Sequence, residues 1–145
     1  MSSIDANKRL YMRLADEVLN GKDLSVVDEL IAADFAEHVG SERREIGPEG
    51  FKAARRRRNI AFPDWHVTVD DLLSEGDKVI VRATGQGTHR GEFMGIPPTG
   101  KRVIVRWIAI YRVRNGKLAE HWQNLDDLGM LKQLGAQVIL PKGAE

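Results

Sequence analysis

Asn115-Gly116, set between apolar runs at 103–114 and 117–125, is the strongest constraint on how this chain folds. Both residues tolerate positive φ, and a two-residue turn of this type twists its flanking strands in the sense a sheet requires. The pair predicts a β-hairpin. Glu75-Gly76-Asp77 predicts a second, between strands at 65–73 and 78–88. The segment 95–100, with Pro97 and Pro98, is too kinked to pair and reads as a loop.

The residues before 62 read as helices. Ser2 or Ser3 can cap a helix whose Leu10, Leu14 and Val18 recur at helical spacing, with Tyr11 beside them and Asn20-Gly21 as its stop. A second, short helix is predicted over 24–34, with Ser25 and Asp28 as a capping box. Pro48 suits the first turn of a third helix over 47–61. After the strands, Asp126-Asp127 can cap a last helix on Leu128, Leu131 and Leu134, closed by Gly135. Helices first and meandering strands later predict an α+β fold, a curved antiparallel sheet with helices on one face and a pocket in its concavity.

Composition narrows the function. A chain of 145 residues with 42% hydrophobic residues reads as one domain, 1–145. A net charge of +1 gives no basis for nucleic acid or an acidic membrane as partner. There is no cysteine, which excludes disulfides and thiol catalysis and fits a reducing cytoplasm. The first ten residues are polar and lack the apolar centre of a signal peptide, and no apolar run is long enough to span a membrane. Four widely spaced histidines predict no metal site. No phosphate loop or nucleophile elbow is present, so no cofactor is expected.

Strand parity sorts the candidate site residues. On 103–114 one face carries Val105, Trp107, Ala109, Tyr111 and Val113, the other Ile104, Arg106, Ile108, Ile110 and Arg112. Both are mostly apolar, which predicts a central strand covered on both sides. On 117–125, Ala119, His121, Gln123 and Leu125 share one face, and Glu120, Trp122 and Asn124 the other. His121 reads equally as a base inside a cavity and as an interface residue. His89 reads as a turn histidine at the pocket rim. Asp126 reads as a helix cap and as an acid/base carboxylate. Trp107, Tyr111, Trp122, Phe93 and Met94 can line a site for a flat ligand or serve as core. Arg106 can orient an acidic group or form a structural ion pair. Arg55–Arg58, four arginines in succession, fan around a helix and read as a solvated face.

The motifs GTHRGEFMGIPPTGK, YRVRNGKLAEHW and LKQLG resemble the SnoaL-like polyketide cyclase family of the nuclear transport factor 2-like superfamily. The resemblance implies a cone-shaped α+β barrel: a strongly curved antiparallel sheet covered by N-terminal helices, with a central hydrophobic cavity, in a homodimer packed through its sheets. It implies cyclases that close a polyketide ring by an intramolecular aldol step without metal or cofactor. In the family an aspartate of the last strand acts as acid/base, and a histidine of the preceding strand supports it. Counted along the motifs, the aspartate falls at Gln123 and the histidine at Ala109. The resulting expectation is cofactor-free acid/base chemistry on a small hydrophobic carbonyl compound. His121 or Asp126 would move the proton, and Gln123 would orient the carbonyl. The alternative is a ligand-binding or dimerisation protein on the same scaffold.

Overall fold

A computed structural model of the chain describes residues 3–143, so the Ser2 cap lies outside the described residues. Helix α1 (Ser3–Arg13) runs into a π-helical segment (Leu14–Asn20). A 3₁₀ turn (Leu24–Val26) and α2 (Val27–Leu30) follow, then β1 (Ile31–Val39), β2 (Glu42–Glu45) and α3 (Gly47–Ala61). Strands β3 (His66–Glu75), β4 (Lys78–Thr88), β5 (Arg102–Arg114) and β6 (Lys117–Leu125) precede α4 (Asp127–Gln133). Among the described residues no helix is long and apolar enough to cross a membrane.

Both expected hairpins form. Asn115 and Gly116 adopt φ of 51° and 73°, and Gly76 turns β3 into β4 with φ 57°. The six strands lie in the order β2-β1-β6-β5-β4-β3. Strands β2 and β3 are free edges, so the sheet is curved but open and no barrel closes. It is also not wholly antiparallel, because β1 pairs parallel with β6.

Strand β1 replaces the last four residues of the helix expected over 24–34. Its buried residues Ile31, Ala32, Phe35 and Ala36 mimic helical spacing. They do so because the β1–β6 register shifts between Ile31 and Ala36, and the irregularity breaks simple alternation. The expected capping box is also replaced. Asp23 caps the preceding 3₁₀ turn, accepting from the Ser25 backbone N–H at 3.0 Å.

The helices pack on the concave face. There Val79, Val81 and Ala83 of β4 and Val103, Val105, Trp107 and Ala109 of β5 are buried against Leu14, Val18, Phe62 and Trp65. Gly85 seats two aromatic rings in this layer: a Cβ there would lie 2.2 Å from Trp65 Cζ2 and 2.8 Å from Trp107 Cζ3. Among the described residues no helix covers the convex face. Ile104 and Ile108 of β5 are 42% and 54% exposed, so the expected two-sided cover is absent within one chain.

Candidate active site

The concave face, α1 and α3 enclose a pocket of about 230 Å³. Strands β5 and β6 supply Trp107, Tyr111, His121, Gln123 and Leu125. Period-two geometry puts these residues on one face, and β1 adds Phe35 and Glu37 beside them. Tyr11 comes from α1, and α3 contributes Phe51, Ala54, Arg55 and Arg58.

His121 is the centre of this arrangement. Its Nε2 lies 3.0 Å from Gln123 Oε1. A carbonyl oxygen only accepts, so Nε2 carries the proton of a neutral imidazole and Nδ1 keeps a free lone pair. The ring packs on Tyr111, with centroids 4.6 Å apart, and stacks over Phe35 at 6.3 Å. Burial pushes its pKa down to about 4. The positive fields of Arg55 and His38 act in the same direction, against the hydrogen bond to Gln123. At neutral pH the ring is an uncharged base.

Two phenols stand nearby. Tyr11 and Tyr111 pack at 5.3 Å, and burial raises the pKa of each well above the usual phenol value. Both remain hydrogen-bond donors across the physiological range. Gln123 sits directly opposite Ala109 in the β5–β6 register. The two positions where the chain departs from the family pattern are therefore cross-strand neighbours.

Four candidates of the sequence are gathered here: Trp107, Tyr111, His121 and Gln123. The other six lie elsewhere. Asp126 is exposed and caps α4, accepting from the Gly129 N–H at 2.9 Å; its own N–H still donates to the Arg106 carbonyl of β5 at 3.1 Å, and as the neighbour of pocket-facing Leu125 it points away from the pocket. Arg106 projects from the convex face, where it shares a shallow groove with Ile108, Asn124 and Asp126. Trp122 also faces outward, its ring stacked nearly parallel to that of His38 with centroids 4.7 Å apart. Parity dictates both placements, since neighbours of inward residues point outward.

His89 is fully buried and belongs to a loop anchor rather than to the pocket. Its Nδ1 accepts from the Thr99 N–H at 3.2 Å and lies 3.0 Å from Thr99 Oγ1. Phe93 packs on Phe62 at 5.3 Å, and Met94 is exposed in the next groove.

Tyr11, Glu37, Arg55 and Arg58 are pocket residues that sequence reasoning did not select. Glu37 sat in a predicted loop between helices. Arg55 and Arg58, three residues apart, turn inward while Arg56 and Arg57 stay exposed, so the expected solvated face holds for only half of the run. The i, i+3 spacing was the available signal. Arg58 is 4.7 Å from the Trp65 ring and 5.2 Å from that of Phe93. Burial and the neighbouring Arg55 lower its pKa to about 10. Among the described residues no cluster of His, Asp and Glu is placed to hold a metal ion.

Known proteins share both sequence and fold with this chain. Aklanonic acid methyl ester cyclase DnrD of Streptomyces peucetius is 33% identical over 98 residues, 67% of this chain and 68% of that protein. The structure of TsrD from Streptomyces laurentii superposes with a TM-score of 0.82 at 34% identity, covering 92% of this chain and 97% of that one. Wild-type IdmH from Streptomyces antibioticus gives 0.76 at 34% identity, covering 90% and 99%. The sequence pattern that defines the SnoaL-like polyketide cyclases matches residues 9–134, and with these likenesses the chain belongs to that family.

Proposed function

We propose that the pocket carries out cofactor-free acid/base chemistry on a small carbonyl compound, with His121 as the base. The observation that carries this reading is a neutral imidazole inside the pocket, hydrogen-bonded to Gln123. His121 Nδ1 takes a proton from the carbon next to a carbonyl. The Gln123 amide orients that carbonyl and the Tyr111 hydroxyl donates to the enolate oxygen. The enolate carbon then attacks a second carbonyl of the same molecule. One C–C bond forms, and His121 returns its proton to the new alkoxide. Gln123 has no useful pKa, so it positions and does not exchange protons.

Proton exchange at the α-carbon of a small cyclic β-keto ester in D₂O, followed by NMR, tests this reading. Wild type should accelerate exchange, and His121→Ala should lose about 10²–10⁴-fold. Loss in Glu37→Gln with His121→Ala unaffected would instead move the base to β1. Acceleration should survive dialysis against a chelator.

A binding protein without turnover is the second reading. It is favoured by the Ala109–Gln123 pair, which puts two non-titrating side chains where the family pattern has its aspartate and histidine. Tight ligand binding with no exchange in wild type would establish it.

We also propose a homodimer formed through the convex face, in the reducing cytoplasm that the cysteine-free sequence suits. Leu73, Ile80, Ile110 and Trp122 fall in one row across β3, β4, β5 and β6, flanked by Ile108. Such a row is a continuous, partly exposed apolar surface that no helix of the described residues covers.

A further inference from the structure

We infer that the pocket is built for a substrate bearing a free carboxylate, held by Arg55 with Arg58 beside it. This rests on the reading of the pocket as a carbonyl-compound site and names the substrate class. Among the described residues Glu37 is the single acidic side chain of the lining, against two arginines, and the further carboxylate that acts on them, Asp127 of α4, lies outside the pocket and acts on Arg58. The phenols of Tyr11 and Tyr111 stand beside Arg55, and among the described residues no carboxylate is placed to offset its charge. Arg58 rests on aromatic rings and on the Met130 sulfur at 3.8 Å, with Asp127 attracting it without direct contact, so Arg55 is the arginine left without a carboxylate.

A guanidinium cannot discharge itself within the physiological range, so its burial stays costly until an anion arrives. The fold does not require that cost. An aliphatic side chain would fill the same place beside Phe51 and Ala54 without any loss of solvation. A planar carboxylate matches the guanidinium fork, and it also relieves the repulsion between Arg55 and Arg58. The remaining lining, Trp65, Trp107, Phe35 and Leu125, suits a compact flat body attached to that anion.

Calorimetric titration with 1-naphthoate and with methyl 1-naphthoate separates charge from shape. Wild type should bind the acid about 10- to 100-fold more tightly than the ester, the range expected of a charge-assisted hydrogen-bonded pair. Arg55→Met keeps the stem and removes the charge. It should erase the preference and, without ligand, melt at a higher temperature than wild type. Arg56→Met, on the exposed side of α3, should keep the preference. Equal affinities in wild type, no binding of the acid, a preference retained in Arg55→Met, or a lower melting temperature for that variant would each overturn the inference. The assay reads binding alone. If His121→Ala turned over normally, the base assignment would fail while the acid-over-ester preference stood.

Discussion

An imidazole in water divides between its charged and neutral forms near neutral pH, and His121 does not, because burial holds its pKa near 4. For a base in the free enzyme, kcat/KM should stay level from neutral pH down to about pH 5 and fall below it, with the midpoint near 4. A midpoint near 6.5 would show the ring to be solvated. The same shift has a stability consequence of definite sign. The folded pKa lies below the unfolded value, so the unfolded chain binds the extra proton first. Stability should fall as pH drops from 6.5 towards 4 and should be untouched by this group above that window. Chemical denaturation at several pH values would detect it, and His121→Phe should flatten that part of the profile. Gly85 makes a second prediction at this scale. A methyl group there meets the Trp65 ring at 2.2 Å, so Gly85→Ala should lose about 1–3 kcal/mol in urea denaturation through overpacking.

At the scale of elements, α4 and β6 separate two roles that adjacent residues were expected to share. Asp126 holds the first turn of α4 and stands outside the pocket, so its removal should affect stability and spare turnover. Asp126→Ala should cost about 1 kcal/mol, and Asp126→Asn, which keeps the cap, close to nothing. A large fall in kcat for Asp126→Asn would return the acid/base role to this carboxylate. Helix α3 divides its arginines in the same way. Positions three apart share a face, so Arg55 and Arg58 enter the pocket while the two between them meet solvent.

For the whole molecule, one face of the open sheet is covered by helices, and among the described residues no helix covers the other. The row from Leu73 to Trp122 predicts a sedimenting species of twice 16.3 kDa at micromolar concentration. Ile108→Asp should break it into monomers, since a charge introduced at the flank of the apolar row must be desolvated when the interface closes. Its pocket-facing neighbour Trp107 is untouched by that change, so the fold should persist by circular dichroism. A wild-type monomer at that concentration would rule the interface out.

The linear order of residues determined what local physics can determine. Asn115-Gly116 and Gly76 dictate their hairpins because few residues accept positive φ. Alternation along β5 and β6 dictates that Trp107, Tyr111, His121 and Gln123 share faces with their i±2 neighbours. Asp126 declares the start of α4 through its short acceptor side chain. The motifs around 85–135 carried the family. Only the tertiary structure decided which face is inner, because β5 is apolar on both sides and a helix can bury either. It alone made β1 a strand, since a parallel pairing with a shifted register disguises itself as helical spacing. It alone brought Glu37, Arg55 and Arg58 to His121: the i, i+3 spacing puts the two arginines on one side of α3, but contact between β1, α3 and β6 spans most of the chain, and local order does not say which side turns inward.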